Sequence, residues 1–301
     1  MRPSDVVELL ILAALWGGSF LFMRIGAPEF GPIPLIALRV GLAALALAPL
    51  MWAQGGWGRC RGHGRAIWVV GLTNSAIPFC LLAYATLSVT AGYASILNAT
   101  VPLWTALIAF LWLGERLSWP RILGLVVGFA GVGVLVAGRS GFQDGGAGAA
   151  FVAALAATFC YGLAANYTRR HLTGVPPLAV AGGSQVTAAL ALAPLAVWLW
   201  PEGAISGRAW GALVIMALAS TALAYVLYFR LLARVGPTRA VAVTYLIPLF
   251  GVIWGALLLD EMVTLPMVAG GAVILLGTGL TTGLIGSRAK PGQAAGNSPS
   301  R

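Results

Sequence analysis

The chain has 301 residues, of which 59 % are hydrophobic, 9 % are charged and 40 are glycine. A soluble domain carries about 25 % charged residues, and one of this length cannot hide nearly three quarters of its residues from water. The composition therefore excludes a soluble protein and predicts an integral membrane protein in contact with the lipid bilayer. The net charge of +10 is read as a topology signal, so no nucleic-acid partner is predicted.

Ten continuously apolar segments follow one another along the chain, separated by charged residues, proline and glycine. A helix that crosses a hydrocarbon core of about 30 Å needs about 20 residues, whereas strands of a membrane barrel alternate over about ten residues. The sequence therefore predicts an all-α polytopic membrane protein with ten transmembrane helices. The predicted spans are residues 6–26, 32–53, 66–88, 91–113, 119–138, 148–168, 177–200, 209–232, 239–259 and 265–286.

Lysine and arginine residues concentrate in every second loop. If the N-terminus is inside, 14 of the 18 lie in cytoplasmic segments, and Arg24, Arg39, Arg139 and Arg208 are the exceptions. Since positively charged loops stay in the cytoplasm, we expect a multi-pass protein of a bacterial-type inner (plasma) membrane, with both termini cytoplasmic. The polar residues 287–301 are expected to form a disordered cytoplasmic tail.

The two halves of the chain repeat each other. Residues 46–50 (ALAPL) recur as residues 191–195, and one residue later in register Pro102 recurs as Pro248 and Glu115 as Glu261. The predicted repeats are residues 6–138 and 148–286, with five spans each. Because five is an odd number, the second half is expected to enter the membrane upside down relative to the first. Such inverted repeats place a substrate site near the midplane in many secondary transporters.

Several of the repeated segments carry a family resemblance. They are the Trp16-Gly17 pair, the run from Pro32 to Arg39, and residues 102–115 with their closing Leu-Gly-Glu, followed by a glycine-rich fifth span. In this order and duplication, over about residues 6–286, the chain resembles the drug/metabolite transporter superfamily, specifically proteins built from two EamA-type repeats. The resemblance implies two inverted five-helix halves around a central cavity, and export of metabolites, commonly amino acids.

Polar side chains inside a membrane are costly and often functional, and the repeat selects among them. A polar pair at matched positions in both halves is expected to face the shared axis, and mid-span aromatic rings suit a cavity for an amphipathic molecule. The alternative for each residue is a contact between helices, which Ser, Thr and Asn commonly make in membranes. The predicted substrate-binding residues are Trp16, Asn74, Ser75, Tyr84, Asn98, Tyr161, Ser220, Thr221, Tyr228 and Thr244.

The ionisable residues bear on the mechanism. All eight Asp and Glu residues are expected at or near span ends, and both His residues in loops. A proton relay usually needs ionisable groups within the membrane, so the sequence predicts facilitated diffusion or exchange by alternating access. Pro78, Pro102 and Pro248 are expected to interrupt their spans and act as hinges, because proline frees backbone carbonyls.

Arg39 is the one cation well inside a predicted span. It is either a counter-charge for a carboxylate or phosphate of the substrate, or a structural residue that fixes the second span against a neighbour. We expect the structural role, because the second span is peripheral to the cavity in the family that the sequence resembles.

The predicted function is export of small neutral or zwitterionic metabolites, with amino acids, including bulky or aromatic ones, as the first expectation. A multidrug or nucleoside exporter of the same fold is the alternative. A membrane-embedded lipid-modifying enzyme is the alternative of another class, but no catalytic residue, cofactor or metal is predicted. Glycines in the fifth and tenth spans suit either a dimer seam or an internal contact, which leaves a monomer or a homodimer open.

Overall fold

The structure is a computed structural model that describes residues 1–138 and 147–285. Helices make up 84 % of it and no strand occurs within the described residues, which confirms the all-α prediction. Residue 286 and the predicted tail 287–301 lie outside the described residues. The main helices are α1 (Pro3–Phe30), α2 (Pro32–Ala53), α3 (Gly64–Ala85), α4 (Ala91–Leu113), α5 (Trp119–Gly138), α6 (Ala147–His171), α7 (Pro177–Trp198), α8 (Gly207–Val235), α9 (Val243–Leu259) and α10 (Leu265–Thr282).

Nine of these helices are long and apolar enough to cross a membrane, counted over the described part of the chain. The remaining one, α9, has 17 residues, which corresponds to about 26 Å at 1.5 Å per residue. This length is at the lower limit for a transmembrane helix. The described residues thus hold nine clear spans and one short candidate, and the count of ten stays a prediction.

Two helices contain a π-helical segment at repeat-equivalent positions. In α3 the segment is Leu72–Ala76, and in α8 it is Leu218–Leu223, which begins 146 residues later. The backbone N–H of Ile77 donates to the carbonyl of Leu72, five residues back, and Ala224 donates in the same way to Ala219. Such segments add one residue to a helical turn and often lie at functional sites.

The predicted prolines differ in their effect on the helices. In α4 the helix breaks at Ala99 and Thr100 and resumes at Val101, directly before Pro102. In α3 the irregularity is the π segment, and Pro78 follows it by two residues. The expectation that Pro248 interrupts its span is wrong, because α9 continues through it.

The two halves pack against each other through repeat-equivalent pairs of helices. Helix α1 packs on α9 and α6 on α4, while α2 packs on α7 and α5 on α10. The end of α1 contacts the connection that leads into α4, since Arg24 donates to the carbonyl of Leu87. The end of α6 contacts the end of α4, where Arg169 binds Glu115. Helices α1 and α6 therefore end at opposite ends of α4, and the inverted arrangement of the two halves stays a prediction.

The glycines of α5 and α10 form an internal contact. A Cβ atom added at Gly277 would lie 2.6 Å from the carbonyl oxygen of Gly124, and one added at Gly131 would lie 2.8 Å from the backbone nitrogen of Ile274. Real Cβ atoms essentially never come this close to a backbone atom, so these positions require glycine for the two helices to touch. Of the two possibilities left open, the seam between α5 and α10 within one chain is the one observed.

Candidate functional site

A cavity of about 700 Å³ lies between the two halves. This volume is within the range of small-molecule sites. The cavity extends from Trp16, in the middle of α1, and Asn98, at the break in α4, to the connection between α6 and α7. At that connection Arg169 and Thr173 both line the cavity and are exposed, so the cavity reaches the surface at the end of α6.

Eight of the ten predicted substrate-binding residues line this cavity. Asn74 on α3 and its repeat equivalent Ser220 on α8 both face it, and so do Asn98 on α4 and its equivalent Thr244 on α9. The other four are Trp16, Tyr161, Thr221 and Tyr228, and the predicted hinge Pro102 lies in the same wall. The structure thus brings matched residues of both halves together, whereas their role in substrate binding stays a prediction.

Ser75 and Tyr84 do not line the cavity. Ser75 is fully buried and accepts a hydrogen bond of 2.8 Å from Gln185 Nε2, so it joins α3 to α7. Tyr84 is 43 % exposed on the outside of the bundle. The π segment explains its position, because one added residue rotates the following part of α3 by about 100°. The cavity face of α3 consequently passes through Phe79 and Leu82.

Aromatic contacts in the cavity wall repeat from one half to the other. The ring of Trp16 on α1 lies 5.3 Å from that of Tyr228 on α8. The ring of Tyr161 on α6, the repeat equivalent of Trp16, lies 6.2 Å from that of Phe79 on α3. Aromatic pairs at such separations stabilise each other beyond simple burial, so each pair holds a ring of one half against a ring of the other in the cavity wall.

The structure corrects the expected position of Arg39. We expected α2 to be peripheral, but Arg39 is only 3 % exposed and lines the cavity. Its Nε donates a hydrogen bond of 2.9 Å to Thr221 Oγ1, and its guanidinium carbon lies 4.0 Å from the ring centre of Phe79. The signal in the sequence was the isolated charge inside an apolar span, for which we expected a structural role.

Four buried polar atoms of the cavity residues have no hydrogen-bond partner among the described residues. They belong to Ser19, Arg39, Asn98 and Ser220, and the unpaired atoms are Oγ, Nη1, Oδ1 and Oγ respectively. A buried polar group without a partner costs about 1–3 kcal/mol, and such groups in native proteins call for an explanation. Ser19 was missed by the sequence analysis because Ala164 stands at the matched position of the second half.

The charges of the cavity wall have one sign. Arg39 and Arg169 are the charged residues among those that line the cavity, and the described lining contains no Asp, Glu or His. Arg169 is paired with Glu115, which leaves Arg39 as the cation of the lining without an acidic partner among the described residues. A site with this charge distribution favours negatively charged groups over positively charged ones.

Two ion pairs occupy repeat-equivalent positions at opposite ends of α4. The α1-end pair consists of Arg24 and Glu261, whose side chains are 16 % and 10 % exposed and whose nearest atoms are 4.0 Å apart. The α6-end pair consists of Arg169 and Glu115, whose side chains are 55 % and 41 % exposed and 2.5 Å apart. The same two residue types are therefore largely buried at one end of the bundle and exposed at the other.

The α1-end pair is also fixed to the backbone of the connection between α3 and α4 and of the first residues of α4. Arg24 Nη1 donates to the carbonyls of residues 86 and 87, and the backbone N–H groups of residues 91 and 92 donate to the Glu261 carboxylate. The α6-end pair makes no corresponding bond to the connection between α8 and α9 within residues 147–285. The bundle is thus closed at the end of α1 and open at the end of α6.

The chain is similar to known membrane transporters over nearly its whole length. The EamA-like transporter family matches the chain twice, over residues 6–137 and 148–283. A "Probable terminal-alkyne amino-acid exporter" of Streptantibioticus cattleyicolor is 26 % identical and covers 92 % of this chain and 93 % of its own. A "Probable amino-acid metabolite efflux pump" of Escherichia coli is 25 % identical, with coverages of 96 % and 97 %. A crystal structure matches with a TM-score of 0.66 at 21 % identity, over 94 % of this chain and 98 % of that one.

Proposed function

Since this chain belongs to the EamA-like transporter family, we propose that it exports amino acids, including bulky or aromatic ones, by alternating access. That it is a membrane transporter follows from the family, and the resemblance expected from the sequence is confirmed. The substrate and the transport cycle are the proposal. Two relatives that the chain matches over more than nine tenths of its length are named for amino-acid export or efflux.

The observation that carries the proposal is the composition of the cavity wall. Its rings, including Trp16 and Tyr161, offer apolar surface, while Asn98 and Ser220 offer polar atoms without partners. An amino acid with a large side chain needs both kinds of surface in one site. Because both halves contribute to the wall, a movement of one half against the other would change access to it.

The difference between the two ion pairs supports alternating access. In this conformation the cavity opens beside the α6-end pair, and the arginine distribution predicts that end to be cytoplasmic. An exporter loads its substrate from the cytoplasm in such a state. In the opposite state the α6-end pair would bind the connection between α8 and α9, and the α1-end pair would be released.

The π segments of α3 and α8 supply a candidate for the bending points of this movement. Both lie beside the cavity, and both place a polar cavity residue, Asn74 or Ser220, within the irregular turn. A π segment leaves the regular ladder of backbone hydrogen bonds, so a change there costs less than in an unbroken helix. The break before Pro102 is a third such point.

We propose uniport or exchange for the energetics. The described cavity residues include no carboxylate or histidine, and such groups are the usual carriers of coupled protons within membranes. The substrate would then move down its own gradient or in exchange for another solute.

Counterflow into proteoliposomes tests the proposal. Vesicles loaded with unlabelled L-phenylalanine, L-leucine or L-serine are diluted into labelled amino acid, without a pH gradient. We expect accumulation of phenylalanine and leucine, and a tenfold or greater loss for Trp16→Ala. Tyr84→Ala is the matched control, because Tyr84 lies outside the cavity. Transport that requires an imposed pH gradient would contradict uniport or exchange, and transport of a nucleoside or drug but of no amino acid would contradict the substrate class.

A further inference from the structure

We infer that Arg39 binds the carboxylate of the transported substrate and thereby selects carboxylate-bearing molecules over cationic ones of the same shape. This inference rests on the proposed function and adds the residue that determines its specificity. It is carried by three observations: the burial of the guanidinium, its unpaired atom in the cavity wall, and the charges around it.

Two contacts orient the guanidinium group of Arg39. Thr221 accepts from Nε at 2.9 Å, and the Phe79 ring covers one face of the group at 4.0 Å. A guanidinium has five N–H donors in a rigid plane. Nε is bound and one face is covered, and Nη1 is buried beside the cavity with no partner among the described residues, so this donor is left for a ligand that displaces its surroundings slightly.

The positive charge of Arg39 is not balanced by a carboxylate of the described cavity wall. A buried cation is costly unless it is paired and hydrogen-bonded, and the described cavity residues include no carboxylate that could pair with Arg39. Tyr161 and Tyr225 lie close enough to interact electrostatically with it, but a neutral phenol does not balance its charge. A substrate carboxylate would do so, and its two oxygens match the planar guanidinium as a bidentate acceptor.

The cavity also holds an acceptor for the ammonium group of an amino acid. The unpaired Oδ1 of Asn98 in the same cavity is an acceptor, as the ammonium group of an amino acid requires. Arg39 repels a ligand that has an ammonium group and no carboxylate. The position matched to Arg39 in the second half holds Ser184, so the second half offers no equivalent cation and the cavity suits an asymmetric substrate.

The decisive comparison uses L-phenylalanine and L-phenylalaninamide, which differ in the carboxylate. For the wild-type protein we expect counterflow of the acid to exceed that of the amide at least tenfold. In Arg39→Gln, counterflow of the acid should fall at least tenfold while that of the amide changes less than twofold. Arg39→Lys keeps the charge but loses the planar pair of donors, and it should retain an intermediate preference for the acid. An equal loss for acid and amide would show a purely structural role and overturn the inference.

A binding measurement separates this inference from the proposed function. Phenylacetate, a carboxylate without an ammonium group, is titrated into the purified protein while tryptophan fluorescence is recorded. We expect saturable quenching in the wild type and at least tenfold weaker binding in Arg39→Gln. If amino acids are not transported but phenylacetate binds through Arg39, the proposed substrate is wrong and the carboxylate site stands. If amino acids are transported with unchanged preference in Arg39→Gln, the carboxylate site is wrong and the proposed function stands.

Folding of the variants is checked by size-exclusion chromatography. Should Arg39→Gln fail to give a monodisperse protein, Arg39→Lys decides alone. A preference for acid over amide unchanged from the wild type in that variant would overturn the bidentate role. A reduced preference would support it.

Discussion

The buried α1-end pair predicts that this protein can be driven toward its opposite conformation by a single substitution, Arg24→Gln. Arg24 Nη1 binds two backbone carbonyls of the connection between α3 and α4, and its Nε lies 4.0 Å from Glu261. A hydrogen bond to a charged group contributes about 1.5–3 kcal/mol, and glutamine can replace one of the two. The net loss is therefore about 2 kcal/mol, which corresponds to roughly a 30-fold change in the equilibrium between the two conformations.

A cysteine reporter at Met23 measures this shift. Met23 is 2 % exposed and lines the cavity directly before Arg24, so a membrane-impermeant maleimide added only on the side of the α1 end should reach it only when that end opens. In Met23→Cys, with the three native cysteines replaced by alanine, we expect Arg24→Gln to raise the labelling rate about 30-fold. The rate is proportional to the population of the minor conformation, because labelling requires that conformation.

Arg169→Gln is the matched control, since it removes the equivalent arginine of the exposed α6-end pair. It should lower labelling at Met23→Cys or leave it at the wild-type rate, and not raise it, because the α6-end pair contributes little to the present conformation and stabilises the opposite one in the proposed cycle. Equal effects of the two substitutions, or an unchanged rate in Arg24→Gln, would refute the assignment of the α1-end pair as the closed end.

Three further outcomes follow from contacts elsewhere in the bundle. Gly277→Ala should lower the stability in detergent by about 1–3 kcal/mol through overpacking against α5. Gly133→Ala, at a site with open space, should instead stabilise the protein by about 0.5–1 kcal/mol. Thermal unfolding distinguishes the two variants, and equal effects would contradict the close contact between α5 and α10. Ser75→Ala should cost about 1 kcal/mol by leaving Gln185 without a partner, yet leave the apparent affinity for phenylalanine in counterflow unchanged. Glu8→Gln should cost about 1 kcal/mol, because Arg230 and Arg234 bind Glu8 but are themselves partly exposed; unchanged thermal stability would show that these bonds contribute nothing.

The repeat made much of the cavity predictable from the sequence. A polar residue that recurs at offset 146, as Asn98 recurs as Thr244, is constrained twice, once in each half, and both members line the cavity. Arg39 has no such partner, because Ser184 stands at its matched position. Its position could not be inferred from symmetry, and the family resemblance gave the wrong expectation of a peripheral α2.

Tyr84 shows why comparing the two halves has a physical limit. In a regular α-helix residue 84 would lie within about 40° of the face of Val70, which lines the cavity. The π segment adds a residue between them and moves the cavity face to Phe79 and Leu82. Because α8 carries its own π segment at the matched position, the offset between the halves stays at 146 and gives no sign of the insertion. A distortion shared by both repeats is invisible to their alignment, and it is detected only through the hydrogen bonds that span five residues.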